Sequence, residues 1–123
     1  MKILLLDDEK LIIRALSFGL VKAGHEVIET HHPLEALSKI TQAKLDLLIL
    51  DYHLSLFSGL DLIKILHQNN QVIPVLILSS QKFTDREIND FKLAKDQVLS
   101  KDEPIADILD EIEHYIQSHI IPN

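Results

Sequence analysis

The chain has 123 residues, of which 46% are hydrophobic and 25% are charged, as in a globular domain with one buried core. Its 19 acidic and 12 basic side chains give a formal net charge of -7, which argues against a broad nucleic-acid-binding surface. The absence of cysteine excludes a disulfide framework and a thiolate metal site. The first apolar run is too short for a signal peptide or a membrane span, so we expect a cytoplasmic protein with no membrane contact.

The first half of the chain predicts two strands and two helices. Four aliphatic residues at 3–6 indicate a strand buried on both faces, and they are followed by Asp7-Asp8-Glu9. A helix is expected over 9–23, with Gly24 as its cap. Its predicted inward residues are Ile12, Leu16, Leu20 and Ala23. Weak alternation at 26–30 is typical of an edge strand, and Pro33 suits the first turn of a helix that ends before Leu45.

The second half repeats the alternation. The aliphatic run 47–50 ends on Asp51, and a loop to Gly59 leads into a helix that ends near Gln68. The run 75–78 ends on Ser79. A capping box from Thr84 to Glu87 predicts a fourth helix that buries Ile88 and Phe91. A short strand at 98–100 ends on Lys101, and residues 105–119 form an amphipathic fifth helix that carries Tyr115 and His119 inward.

Five strands that alternate with five helices predict an α/β fold, a doubly wound five-stranded parallel sheet in the order 2-1-3-4-5 of flavodoxin-like (βα)5 proteins. We interpret residues 1–123 as a single domain without an output domain. Because carboxyl ends of parallel strands meet at one edge of the sheet, three carboxylates, a hydroxyl and an amine should converge there. These groups belong to Asp7, Asp8, Asp51, Ser79 and Lys101.

These residues, in this order and with Gly59 in the loop after Asp51, resemble the receiver domains of two-component response regulators, a family that includes the chemotaxis regulators. The resemblance covers essentially the whole chain. It implies that Asp51 accepts a phosphoryl group from a sensor histidine kinase or a phosphotransfer protein, and that Ser79 and Lys101 contact that group. The domain would be a signalling switch with self-catalysed phosphotransfer rather than an enzyme.

The resemblance also implies a required Mg²⁺. Asp8 and Asp51 would bind it directly, Asp7 through water, and the backbone carbonyl of His53 would be a further ligand, in keeping with the oxygen ligands that Mg²⁺ prefers. Expected partners are the phosphodonor protein and an unidentified downstream effector, with a homodimer as a further possibility. We expect no direct nucleic-acid binding. The seven histidines lack metal-ligand spacing and are expected at the surface or partly buried.

Each residue alone has a simpler explanation: acids complement a helix N-terminus, Asp51 suits an Asx-turn, and Lys101 taken singly is most often solvated. A haloacid-dehalogenase-type hydrolase would also place a nucleophilic aspartate after a buried strand. It would want a second aspartate two residues later, where this chain has His53.

The stronger alternative is a pseudo-receiver, a protein-binding module that has lost regulated phosphorylation. Departures from the family pattern support it: Ser55 and Asp102 replace prolines, Ser80 replaces a smaller residue, and residues 94–97 replace a Gly-Ala stretch. Without proline, the bond from Lys101 to Asp102 is expected to be trans. Val98 stands where typical receivers carry a switching aromatic, so the signal should leave through residues 79–83 and the fourth helix, with Phe83 as the nearest aromatic side chain.

Overall fold

The computed structural model describes residues 1–54 and 57–121, and within them it has one five-stranded parallel sheet. The strand order is β2-β1-β3-β4-β5, so the predicted topology is confirmed. The strands are β1 (Lys2–Leu6), β2 (Glu26–Thr30), β3 (Leu47–Asp51), β4 (Val75–Ser79) and β5 (Val98–Ser100). As predicted, β2 is an edge strand, and most of its residues are only partly buried.

In the described residues four α-helices connect successive strands and a fifth follows β5: α1 (Lys10–Lys22), α2 (Pro33–Gln42), α3 (Gly59–Gln68), α4 (Asp85–Asp90) and α5 (Ile105–His119). A short 3-10 turn at Lys95–Gln97 precedes β5. The helix starts follow local rules, since Pro33 occupies the first turn of α2 and Ser58 and Thr84 form capping boxes. Gly24, directly after the C-cap of α1, has a φ of 97°. Within the described residues, no helix has the length and apolar character to cross a bilayer.

Two hydrophobic layers cover the sheet, because successive residues of β1 and β3 point to opposite faces. Ile3, Leu5, Leu47 and Ile49 pack on one face with residues of α1 and α5. Leu4, Leu6, Leu48 and Leu50 pack on the other with residues of α2 and α3. Each of these eight side chains is at most 1% exposed. The unbroken aliphatic runs are thus explained, and they fix the residues that follow them at one edge of the sheet.

Three predicted details of the helices are wrong. In α1 the buried face is Ile13, Leu16, Ser17 and Leu20, while Ile12 is half-buried and Ala23, at the C-cap, is exposed. At the start of α1 the buried residue is therefore Ile13, one position after the predicted Ile12.

The other two errors concern the helices near β5. Helix α4 has six residues and buries none of them, and Ile88 and Phe91 are only half-buried. Its capping box starts the helix, but no buried stripe prolongs it. His119 of α5 is exposed, and its Nε2 lies 2.6 Å from Asp96 Oδ2. The expected trans bond after Lys101 is confirmed, since no cis peptide bond occurs in the described parts of the chain. Ser55 lies outside those parts.

Candidate functional site

The ends of β1 and β3 bring together the acidic residues that the sequence singled out. Leu6 of β1 pairs with Leu50 of β3 in the sheet. Asp7 and Asp51 are the residues that come next, so they lie side by side at the ends of adjacent strands. Asp7 is 1% and Asp51 3% exposed, whereas Asp8 is exposed. One carboxylate oxygen from each of the three residues lies within 4.8 Å of the others. The predicted convergence of the three carboxylates is therefore found.

Lys101 is buried among these acids. Its Nζ lies 2.8 Å from Asp7 Oδ2 and 3.2 Å from Asp51 Oδ2, and its side chain is only 7% exposed. It also donates a 2.9 Å hydrogen bond to Glu9 Oε1. Burial opposes the charge on the amine, but the hydrogen bonds with Asp7 and Glu9, together with the charges of Asp7 and Asp51, outweigh burial and raise the pKa of Lys101. The amine is thus a fixed cation, and the simpler explanation of a solvated lysine does not hold.

The negative charge of the cluster exceeds what one lysine balances. Burial raises the pKa of Asp7 from 3.8 to about 6; hydrogen bonds from Lys101 and the Glu9 N–H oppose this rise, and the charge of Asp51 adds to it. Asp7 Oδ1 accepts the 2.9 Å hydrogen bond from the Glu9 N–H. Apart from its ion pair with Lys101, Asp7 Oδ2 has no hydrogen-bond partner in the described part of the chain. A buried carboxylate oxygen with spare acceptor capacity, beside two more carboxylates, fits a hard divalent cation.

Ser79 ends β4 as predicted and is 2% exposed, but its hydroxyl is engaged by its own loop. Ser79 Oγ donates to the Gln81 carbonyl at 3.0 Å and accepts from the Gln81 N–H at 3.0 Å. The Gln81 side chain contacts His53, with Oε1 3.2 Å from Nε2. The His53 N–H in turn donates to Asp51 Oδ1 at 3.2 Å. Gln81 therefore links the loops that follow β3 and β4, a role with no sequence signal.

Gly59 is required by the close approach of two backbone segments. A Cβ at this position would lie 2.7 Å from the carbonyl oxygen of Asp51, a distance that real contacts do not show. The Gly59 N–H donates to the Tyr52 carbonyl at 3.0 Å. The start of α3 is thereby held against the end of β3, which fixes the backbone on both sides of Asp51.

An aromatic cluster adjoins the site. The Tyr52 ring centroid lies 4.9 Å from that of Phe83 and 6.1 Å from that of Phe91, and Phe83 packs edge-to-face on Phe91 at 5.2 Å. The sequence analysis named Phe83 on the signal route and expected Phe91 to be buried by the fourth helix, but it did not group them with Tyr52. Because Tyr52 directly follows Asp51, the cluster connects the end of β3 with the end of α4. Half-buried Val98 lies outside this cluster.

The histidines fit the expectation of surface or partly buried side chains. None of them belongs to the acidic cluster found in the described residues. His25 is largely buried and pairs with Glu113 at 2.6 Å. His31 lies beside the site, with its Nδ1 3.3 Å from the Asp7 carbonyl oxygen. These contacts hold α5 and the end of β1 in place.

Comparison with known proteins gives the same assignment along nearly the whole chain. The family model of the response regulator receiver domain matches residues 3–113. The alkaline phosphatase synthesis transcriptional regulatory protein PhoP of Bacillus subtilis is 32% identical over 100 residues, which are 81% of this chain and 42% of PhoP. The chain spans about half the length of the curated relatives it matches.

Solved structures agree with the fold. The Francisella response regulator 1452 receiver domain is 27% identical, with a TM-score of 0.79 over 92% of this chain and 93% of that chain. The Thermotoga maritima response regulator TrrA, in complex with Mg²⁺ and BeF, is 21% identical, with a TM-score of 0.75 over 92% of this chain and 96% of that chain. With the parallel sheet, its acidic edge and the family match, the chain belongs to the response regulator receiver domains.

Proposed function

We propose that Asp51 is the phosphoacceptor through which this domain takes part in two-component signalling. The observation that carries the proposal is the position of Asp51: its carboxylate is 3% exposed, lies 3.2 Å from Lys101 Nζ, and shares the edge of the sheet with Asp7 and Asp8. The hydrogen bond from the His53 N–H to Asp51 Oδ1 has the Asx-turn pattern, but a turn alone does not explain a buried carboxylate between a fixed cation and further acids. It is well suited to an acceptor whose product carries more negative charge.

In the proposed reaction, a carboxylate oxygen of Asp51 attacks the phosphorus of the donor. The new O–P bond gives an acyl phosphate, and the bond between phosphorus and the donor nitrogen or oxygen breaks, with its electron pair leaving on the donor. A phosphohistidine of a sensor kinase or of a phosphotransfer protein is the proposed protein donor. The His53 N–H orients Asp51 by donating to its Oδ1. Catalysis consists of positioning and charge neutralisation, and in this proposal the domain supplies both itself. The same groups would support the later hydrolysis of the acyl phosphate by water.

Mg²⁺ is the proposed cofactor, and the residues present fit it. Asp8 and Asp51 are the proposed direct ligands, Asp7 a ligand through water, and the His53 carbonyl a further ligand. When bound, the ion would neutralise charge on the transferring phosphoryl oxygens. The spare acceptor capacity of Asp7 Oδ2 supports this assignment. So does the Mg²⁺ and BeF complex of TrrA, a protein with the same fold.

Lys101 and Ser79 are the proposed contacts of the phosphoryl group. Lys101 would exchange its ion pair with Asp51 for one with a phosphoryl oxygen, a change that keeps the amine paired throughout. The Ser79 hydroxyl would donate to a second oxygen. To do so it must give up its 3.0 Å hydrogen bond to the Gln81 carbonyl, so the chemistry and the loop from Ser79 to Phe83 are coupled in this proposal.

The family assignment and the intact cluster do not favour the pseudo-receiver alternative. The relative PhoP is by name a transcriptional regulatory protein. The prediction that there is no direct nucleic-acid binding therefore cannot be extended to its relatives. The expectation of no direct nucleic-acid contact is therefore limited to the residues of this chain, with their net charge of -7. The effector that receives the signal and a homodimeric state remain proposals.

Incubation with Mg²⁺ and acetyl phosphate, followed by intact mass, tests the function. We expect one phosphoryl adduct on the wild-type chain, labile to hydroxylamine as an acyl phosphate should be, and none after Asp51→Asn. Asp110→Asn, an exposed carboxylate on α5, is the matched control and should keep the adduct. An adduct that persists in Asp51→Asn would place the acceptor elsewhere. No adduct on the wild-type chain with this donor or with a phosphorylated histidine kinase would favour the pseudo-receiver.

A further inference from the structure

A groove of about 540 Å³ lies between α3 and the segment that follows α4. One wall is the face of α3 that carries Ile63, Lys64 and His67, and the other includes Phe91 and Leu93. The groove exists because α4 ends at Asp90 and the chain turns away through Lys92, whose φ is 61°. A longer fourth helix would extend beyond this turn. None of its lining residues belongs to the carboxylate cluster, and Phe91 is shared with the aromatic cluster.

The groove has an apolar floor and a basic rim. Ile63, Phe91 and Leu93 are half-buried, so each still offers apolar surface. Lys64 and Lys92 are exposed, and neither amine pairs with a carboxylate of the described residues. Against these two amines, Asp90 is the one acid among the described lining residues. In a chain of net charge -7, this local excess of unpaired cations selects an acidic ligand.

The shape of the groove suits a helical segment. Its α3 wall uses residues 60, 63, 64 and 67, which have the i, i+3, i+4, i+7 spacing of one helical face. At about 1.5 Å per residue the wall is about 10 Å long, roughly two turns of an opposing helix. We propose that this groove is a docking site for a short acidic amphipathic segment of a partner protein. Its apolar side chains would contact Ile63, Phe91 and Leu93, and its carboxylates would pair with Lys64 and Lys92.

Neither α5 nor α1, the two longest helices of the described residues, supplies such a segment. Helix α5 is acidic on its outer face, but its apolar residues, Ile108, Ile112 and Ile116 among them, are already buried in the core. Helix α1 does expose apolar side chains, with Phe18 69% exposed, but the same exposed side carries Arg14 and Lys22. This side of α1 is therefore positively charged, like the rim of the groove, and would be repelled by it. Neither helix therefore matches the groove, and a separate protein, rather than a second copy, is the proposed occupant.

Binding can be measured with a designed probe. The acidic peptide has leucines at the i, i+3, i+4, i+7 positions, glutamates elsewhere and one tryptophan, over about three helical turns. The chain contains no tryptophan, so the fluorescence reports the peptide alone. A second peptide carries lysine in place of each glutamate. We expect saturable binding of the acidic peptide to the wild-type chain and at least tenfold weaker binding of the basic one.

A double charge reversal then tests the location. Lys64→Glu with Lys92→Glu should weaken the acidic peptide about tenfold and make the basic peptide the tighter ligand. The control, Lys39→Glu with Lys44→Glu, changes the net charge equally at exposed positions on and just after α2 and should leave both affinities within about twofold. Thermal unfolding checks that both variants fold.

Three outcomes would overturn the proposal. Equal losses in the two double variants would show that net charge, and not this groove, attracts the peptide. Equal binding of both peptides, or of neither, would remove the charge complementarity on which the proposal rests. Self-association of the wild-type chain in sedimentation, abolished by Lys64→Glu with Lys92→Glu, would assign the groove to a second copy.

Discussion

The two halves of the sheet differ in how firmly their structure is held. The β1–β3 half consists of five-residue strands whose aliphatic residues from 3 to 6 and 47 to 50 are at most 1% exposed. In the other half, β5 has three residues with only Leu99 buried, and α4 has six residues with none buried. The acidic cluster thus stands on the rigid half, and the segments that must respond to it belong to the loosely packed half. Segments with few buried contacts can change conformation at a small cost in free energy.

The largest effect is expected where one side chain connects the two halves. Lys101 follows β5 and reaches Asp7 and Asp51 at the ends of β1 and β3. Lys101→Ala leaves two buried carboxylates without their cation, so the free energy of unfolding without metal should fall by about 3 kcal/mol near neutral pH. Urea unfolding with EDTA measures this loss. Mg²⁺ should bind the variant as tightly as wild type or slightly more tightly, because a competing cation is gone, and should restore part of the stability.

Lys2→Ala is the control for that variant, since Lys2 forms an ion pair of 3.2 Å with Glu26 at the surface. Exposed pairs contribute little, and the expected loss is below about 1 kcal/mol. Similar losses in the two variants would mean that the Lys101 ion pairs do not connect the halves. Loss of Mg²⁺ binding in a folded Lys101→Ala variant would give Lys101 a structural role in the metal site.

The second prediction ranks the acids of the rigid half. Asp8→Asn should weaken Mg²⁺ affinity about 100-fold or more, because it removes a direct ligand, and Asp7→Asn about tenfold, the usual cost of losing an outer contact. Calorimetric titration with Mg²⁺ measures both. Asn is isosteric with Asp, so neither variant opens a cavity beside the buried strand ends. Equal losses would contradict the ranking.

The sequence was informative in the rigid half for a physical reason. Unbroken aliphatic runs have one stable placement, a strand covered on both faces, and the residue that follows must lie at the edge of the sheet. Asp7 and Asp51 were located in this way, and so was Ser79 in the other half, at the end of the fully buried β4. Glu9 was visible as a third acid, but its contact with Lys101 depends on a side-chain conformation. Gln81 gave no signal, because its contacts arise from loop geometry.

The loosely packed half was harder because its signals compete. The capping box at Thr84 correctly started α4, but the apolar spacing at Ile88 and Phe91 suggested a buried stripe that does not form. Phe91 instead contributes to the cluster with Phe83 and Tyr52. Aromatic side chains can pack against one another in a small cluster outside the main core. A six-residue helix has too few residues for its sequence pattern to show whether they enter the core or such a cluster.

The third prediction tests the direction of the signal between the halves. Beryllofluoride with Mg²⁺, as a phosphoryl mimic, should change amide exchange in residues 79–95, because Ser79 must release Gln81 and Phe83 contacts Tyr52. Exchange rates there should change severalfold, while Val98 and α5 stay nearly constant. Asp51→Asn with the same additives is the control. Changes centred on Val98 and α5, with residues 79–95 silent, would reverse the proposed route.

The smallest expected effect lies at the acidic outer face of α5, the helix that follows β5. Partial burial, the hydrogen bond with Glu103 and the charges of Glu103 and Asp107 together raise the pKa of Glu111 from 4.5 to about 7. The folded chain therefore holds a proton on Glu111 that the unfolded chain has already lost above pH 4.5. This contribution to stability is complete below pH 4.5 and is lost as the pH rises to about 7.

Glu103→Gln removes the repulsion and offers Glu111 an amide donor, so the folded-state pKa of Glu111 should return toward its ordinary value. The decline in stability between about pH 5 and pH 7.5 should then become shallower. Because Glu111 is exposed, solvent screening limits the gain at pH 7.5 to about 0.5 kcal/mol. Urea unfolding at the two pH values, at low salt and with EDTA, measures the difference. Asp7 titrates in the same range in both proteins, so its contribution cancels. Glu35→Gln, at an exposed position of α2, is the control. A decline as steep in Glu103→Gln as in that control would show that Glu103 and Glu111 do not interact.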